Sequence, residues 1–280
     1  MTTGRQSRTL RTFAFVLLIL FGIAFLAPFA WMVSTSLKPL NETMSLPPRW
    51  IPSVVHWHNY RDAIDAMGYF WRYTGNTFFI CVMSVIGTVL SSALAAYGFS
   101  RIEWKGRDRL FLILLATMMI PFPVVMVPIY SLFKNLGWIG TFKPLWVPAF
   151  FASAFNVFLL RQFFLTLPRD ISESARLDGC SEMQIFLRII LPLSKPALLV
   201  VALFQFMFSW NDFLGPLIFL TEQKDFTLAL GLQSFQSQNG GTAWHHLMAA
   251  STLVVLPVLV LFFFAQRTFI EGIATTGGKN

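Results

Sequence analysis

Six long apolar runs dominate the chain, at residues 13–33, 76–99, 110–133, 145–164, 197–220 and 247–266. A helix needs roughly 20 apolar residues to cross about 30 Å of hydrocarbon, and each run reaches that length. Backbone amides cannot go unpaired in lipid, so such runs fold as helices. Strands of a lipid-facing barrel would alternate in polarity, and these runs do not. The expected fold is an all-α membrane protein with six transmembrane helices. Composition points the same way: 55% of residues are hydrophobic, 12% are charged, and Phe occupies 31 positions. A soluble globular chain carries about 25% charge. An ordinary cytosolic enzyme, a disordered chain and a secreted disulfide scaffold are all excluded. Cys81 and Cys180, the two cysteines, fit neither a disulfide framework nor a metal spacing.

The net charge of +8 lies in short clusters between the apolar runs. That is the pattern of a basic bilayer protein, not of a nucleic-acid binder. Of the 21 Lys and Arg residues, 14 fall in the N-terminal tail, the second and fourth connections and the C-terminal tail, counting Arg161 at the end of the fourth run with the connection it adjoins, and 7 in the alternate connections. Cytoplasmic segments carry the excess of Lys and Arg, so both termini are expected in the cytoplasm, as an even number of spans requires. Arg5, Arg8 and Arg11 precede the first run, but it is too long for a signal peptide and lacks a convincing small-residue cleavage site. It reads as a retained span. Trp31, Trp71, Trp104, Trp138, Trp146 and Trp244 fall near the proposed boundaries, at the headgroup level that amphipathic rings favour.

The outer connection from Ser34 to Tyr73 contains Pro47-Pro48 and several aromatics and is expected to form a small ordered cap. His56 and His58 would face one way on a strand, but no third ligand lies near them, and His245-His246 reads as an interfacial pair. No metal site is expected.

The spans are unequal. The third carries Pro121, Pro123 and Pro128. Proline removes a helical bond and kinks the axis, so this span should pack against protein or line a cavity, as a packing kink or as a gate. In the fifth, Gln205, Ser209 and Asp212 lie at i, i+4 and i+7 on one face, with Trp210 and Asn211 beside them. An ionised carboxylate at the bilayer centre costs roughly 2.5–3.5 kcal/mol, so Asp212 should face a wet cavity or the outer mouth. The stripe either lines a substrate path or packs helices through polar side chains. Gly215-Pro216 should break this span near its outer end. The loop from Thr221 to His246 holds Gln233, Ser234, Gln236, Gln238, Asn239, Gly240 and Gly241 and is polar and glycine-tipped.

The connection 167–196 is cytoplasmic, polar and too long for a turn. It parses as two short helices. Asp170 can cap the first, with Glu173 reaching back; the helix runs to Asp178, and Gly179 suits the left-handed residue that ends it. Ser181 and Gln184 have capping-box spacing for the second. Met183, Phe186, Leu187 and Ile190 give it an apolar stripe, and Pro192 stops the run. The stripe packs either on the chain's own spans or on a partner.

Glu173-Ser174-Ala175, three residues, Gly179, nine residues and Ile189-Ile190-Leu191-Pro192 resemble the coupling-loop signature of importer-type ABC permeases, with Ser174 where that family usually has Ala. Trp210-Asn211-Asp212 is similar to the Trp-Asn-acid element of carbohydrate-importer permeases. Arg267-Thr268-Phe269-Ile270-Glu271-Gly272-Ile273 resembles the ending of the maltose-type branch. The resemblance covers Tyr73 to the end well and is weaker before it. It implies a type I importer permease fold and a multi-pass subunit of the bacterial inner membrane that moves a sugar or oligosaccharide by alternating access. Cytoplasmic coupling helices would lie between spans four and five. The chain would divide into a tail, first span and first periplasmic loop (1–72), a transmembrane core (73–267) and a cytoplasmic tail (268–280). Glu173, Ser174, Ala175, Asp178, Gly179, Ile189, Leu191 and Pro192 would couple it to an ATPase. Its partners would be a second permease chain, two ATP-binding subunits and an external solute-binding protein, into which the loop matching 221–246 reaches in the maltose-type branch; here that loop reads equally as a solvated one.

No Gly-x4-Gly-Lys-Ser/Thr phosphate loop is present, so no cofactor is expected in this chain, and ATP and Mg belong to the partner. A gradient-driven secondary transporter is the alternative, but such proteins place acidic or His relays in their spans, and Asp212 is the one acid at plausible depth. An intramembrane enzyme would need paired groups that the spans lack.

Overall fold

The computed structural model describes residues 8–236 and 241–277, with side chains from 10 to 266. All regular elements among these residues are helical. Among the described residues, four helices are long and apolar enough to cross a membrane: Leu10–Ser36, Phe70–Ser100, Lys143–Thr166 and Trp244–Gln266. Two bent pairs raise this to six if each counts as one span: Arg107–Thr117 with Phe122–Asn135 at 96°, and Glu182–Leu193 with Lys195–Trp210 at 80°.

The third apolar run is thus broken rather than kinked. Pro121 has no amide to donate and stands in extended conformation, φ −70° and ψ 141°, at the head of the second piece. Pro128, inside that piece, leaves it helical. The fifth run is also in two pieces, Lys195–Trp210 and Leu214–Phe219. The break comes at 211–213, ahead of Gly215-Pro216, which lie buried inside the second piece. Side chains satisfy the backbone on both sides of it: Asn211 Nδ2 donates to the Met207 carbonyl at 2.8 Å, and Asp212 Oδ1 accepts the Gly215 amide at 3.0 Å.

The chain divides into two compact units. The first comprises Met1–Tyr69 and Leu232–Pro257. Its connection after the first long helix is the expected ordered cap. The buried Asn59 side chain donates to the Ser36 and Lys38 carbonyls, both at 2.9 Å. The Lys38 ammonium sits 3.8 Å from the Trp31 ring centroid, and burial lowers its pKa while Glu42 opposes that shift. Glu42 in turn accepts from the Ser53 amide at 3.1 Å. His56 and His58 are not on a strand; they lead into the helix Asn59–Met67.

The second unit comprises Phe70–Gly231 and Val258–Asn280. Its core joins the Phe70–Ser100, Arg107–Thr117, Ala154–Thr166 and Lys195–Trp210 helices through Ala93, Tyr97, Phe111, Leu160, Phe164 and Val201. The fourth run enters it irregularly, as a short helix Lys143–Trp146, a 3-10 segment Val147–Phe151 and Ala152 at φ +62°. Such backbone needs partners at membrane depth. Ser91 Oγ donates to the Ala149 carbonyl and accepts the Ala152 amide, both at 3.1 Å. The segment approaches so closely that the Phe150 ring occupies the place of a side chain at Gly87.

Candidate functional site

The connection expected to carry two capped helices forms them. The first is Arg169–Leu177, ended by Asp178 and by Gly179 at φ +83°. L-residues meet a steric penalty there that glycine does not. The second begins with Ser181, whose hydroxyl accepts the Gln184 amide at 3.3 Å while Gln184 Oε1 accepts the Ser181 amide at 2.8 Å. Both halves of the capping box are present. Two expectations fail. Asp170 caps nothing, because the first helix starts at Arg169 behind Pro168 with no side-chain cap. Pro192 does not stop the second helix. The chain passes through a π-helical turn, Phe186–Ile190, and stays helical to Leu193. The wider turn is the helix's response to Pro192, which cannot supply the amide that would bond the Arg188 carbonyl.

This geometry divides the loop into two faces. Ala175, Ile185, Phe186 and Ile190 are buried in the core of the second unit. Leu177 is 90% exposed, Met183 54% and Leu187 53%. The predicted stripe therefore splits: Phe186 and Ile190 turn inward, Met183 and Leu187 outward. Of the signature residues, Glu173, Ser174, Asp178, Gly179 and Pro192 are exposed, Ile189 and Leu191 are partly buried, and Ala175 is buried. The Glu173 carboxylate is solvent-facing and does not serve as the local cap.

The loop is fastened by residues that sequence reasoning did not single out. Tyr97 Oη donates to Glu182 Oε2 at 2.6 Å. Arg176 Nε donates to Glu182 Oε1 at 2.6 Å, and its Nη2 reaches the Arg101 carbonyl at 3.4 Å. The bond from Arg176 holds the Glu182 carboxyl below the usual carboxylate range, against an opposing effect of burial. Arg101, 8% exposed, donates through Nη2 to the carbonyls of Phe164 and Leu167 at 2.7 and 2.8 Å, and through Nη1 to that of Pro168 at 3.3 Å. Burial lowers the pKa of its guanidinium. The available signal was a lone Arg one residue beyond a long apolar helix, which is a common solvated charge.

The fifth-run stripe divides as well. Gln205 and Asp212 line a cavity of about 590 Å³ with Thr88, Phe122, Phe133 and Phe208. Ser209 stands behind, accepting from Gln205 Nε2 at 3.0 Å, while Thr88 Oγ1 donates to Gln205 Oε1 at 3.1 Å. Trp210 is buried and stacks on Phe206, with centroids 5.3 Å apart. Asn211 is spent on the Met207 carbonyl. Of the five expected residues, two reach the cavity. Gln233, Ser234 and Gln236 lie in or beside a short 3-10 segment, Leu232–Phe235, whereas Gln238, Asn239 and Gly240 lie outside the described residues. So do the side chains of the 267–273 ending.

Comparisons with known proteins give the family. Residues 87–274 match the family described as binding-protein-dependent transport system inner membrane component. The chain is 34% identical to the arabinooligosaccharides transport system permease protein of Halalkalibacterium halodurans, over 94% of this chain and 96% of that protein. It is 35% identical to the protein of the same description from Bacillus subtilis, over 93% of each. A chain of a bacterial ABC transporter involved in the import of the acidic polysaccharide alginate superposes with a TM-score of 0.81 at 22% identity, covering 95% of this chain and 99% of that one. That similarity shows the ABC importer permease fold. The chain belongs to the binding-protein-dependent transport system inner membrane components, and is a multi-pass permease subunit of an ABC importer rather than an enzyme.

Proposed function

We propose that this chain is one of two different permease subunits of a type I importer. It spans the inner membrane six times with both termini in the cytoplasm. A pair of ATP-binding subunits that carry ATP and Mg docks on the 167–196 loop and drives alternating access. The observation that supports this most is the two-faced loop: one side is built into the core, while Leu177, Met183, Leu187 and a Glu173 free of local capping are left outward. An apolar cluster of this kind on a charged cytoplasmic face fits a protein groove. Burying the three side chains would supply several kcal/mol at about 25 cal/mol per Å². Gly179 lets a partner's backbone come close, and Ser174, Asp178 and Pro192 rim the contact.

The cargo is a sugar or oligosaccharide, delivered by an external binding protein. The arabinooligosaccharide and alginate transporters are named for such cargo. The cavity's amide, hydroxyl and carboxylate among phenylalanine rings suit hydroxyl-bearing ligands with apolar faces. Assembly with the neighbouring permease, ATPase and binding-protein genes, followed by uptake from proteoliposomes, tests the reading. Gly179→Asp should leave the complex in the membrane, with ATP still hydrolysed and uptake reduced at least tenfold. Unchanged uptake refutes the coupling role, and uptake that persists without any ATPase chain refutes the class.

A further inference from the structure

The bonds of Tyr97, Arg101, Arg176 and Glu182 close a ring around one end of the Phe70–Ser100 helix. Tyr97, 2% exposed, holds the first residue of the second coupling helix, Glu182. Arg176, on the first coupling helix, holds the same carboxylate from the other side. Arg101 then grips Phe164, Leu167 and Pro168, the chain that leads into the first coupling helix. Both coupling helices and their entry segment are thus tied to one helix end. Nine residues earlier, about 13 Å along a rigid helix, the same helix presents Thr88 to Gln205 at the cavity.

Apolar packing alone would let the loop slide, because it is non-directional. Charge-assisted bonds fix register. The joint is nevertheless not filled. A cavity of about 370 Å³ beside it is lined by Ser100, Arg101, Ser172, Arg176 and Glu182, among others, and behind its surface Ser172 Oγ and Arg101 Nε are buried with no hydrogen-bond partner among the described residues. Three arginines and three glutamates line it, so it offers no net charge to an ion. It offers room and spare polar atoms for a second arrangement of the same ring.

We propose that Glu182 is the positioning residue of the transmission step. Tyr97 and Arg176 converge on its carboxylate, so that displacement of the coupling helices is delivered to the Phe70–Ser100 helix and along it to the cavity wall at Thr88. The proposal rests on the docking role of the loop.

The test uses the assembled transporter with Cys81 and Cys180 replaced by Ser and a reporter Phe208→Cys on the cavity wall. The reporter's thiol-labelling rate is read without nucleotide and with MgATP and vanadate, so no cargo need be known. The parent should show at least a fivefold change. Tyr97→Phe and Glu182→Gln should each reduce it below twofold with the ATPase subunits still bound, and the double variant should do no more than either single one. Tyr97→Phe removes one oxygen and carries the test if Glu182→Gln assembles poorly. A full-sized change in Tyr97→Phe overturns the proposal, as does a parent that shows no change. Leu187→Asp separates the two claims: it should release the ATPase subunits. If it does while Tyr97→Phe responds like the parent, docking stands and the relay falls. If the subunits stay bound, the docking reading itself falls.

Discussion

Arg101 Nη2 lies 2.7 Å from the carbonyl oxygen of Phe164, so a buried cation closes the C-terminal end of the Ala154–Thr166 helix without any carboxylate as its partner. The last carbonyls of a helix lack internal donors and carry the negative end of its dipole. Arg101→Ala removes the side-chain donor to the carbonyls of Phe164, Leu167 and Pro168 and should cost about 3 kcal/mol. Arg101→Lys, a single point donor in place of a fork, should lose about half as much. Thermal melting of the detergent-solubilised protein checks the order wild type, Lys, Ala.

The Glu182 carboxyl is held below its ordinary value, so its ring stabilises the folded loop above the usual carboxylate range. That contribution is lost as pH falls through the depressed value. Wild type and Glu182→Gln should therefore differ in melting temperature at pH 7 and converge on acidification below about pH 4. A constant gap across the titration would show that the charge plays no part.

Gly87 has the Phe150 ring where a Cβ would stand. Gly87→Ala should overpack this contact at a cost of about 1–3 kcal/mol. Phe150→Leu should relieve part of that cost, so the double variant is more stable than the sum of the single effects predicts. Melting of the four proteins closes the cycle.

Gly179 stands at φ +83° with open space where a side chain would begin, so the first penalty of substitution is backbone strain. Gly179→Ala should cost about 1 kcal/mol, and Gly179→Asn less, because Asn tolerates the left-handed region. Both should assemble and transport far better than Gly179→Asp, as an uptake assay will show.

Asp212 both lines the cavity and accepts the Gly215 amide at 3.0 Å. Asp212→Asn keeps an acceptor for that amide and should melt like wild type. Asp212→Ala should lose about 1 kcal/mol. Reduced sugar uptake in Asp212→Asn at unchanged stability would place its charge on the path.

What was legible in the sequence follows from which forces are local. The Ser181–Gln184 box and the positive φ of Gly179 are decided within a few residues, and each is found where the sequence places it; of the apolar runs, the first, second, fourth and sixth fall on helices long enough to cross a membrane, while the third and fifth are broken. Asp170 misled because Pro168 had already set the start of the helix two residues earlier. Gly215-Pro216 misled because Asn211 and Asp212 satisfy the backbone first. The ring on Glu182 was illegible. Tyr97 and Glu182 are 85 positions apart, and nothing in the identity of either reveals the other. The division of Gln205, Ser209 and Asp212 between cavity and backing likewise depends on Thr88, 117 positions from Gln205.

The break ahead of Phe122 has a mechanical consequence. Pro121 stands in extended conformation and has no amide to donate, so the two pieces meet at 96° as separate helices. Phe122 and Phe133, on the second piece, belong to the wall of the larger void. The wall beside Gln205 is therefore jointed, and a change of angle at that joint would resize the void without melting a helical turn.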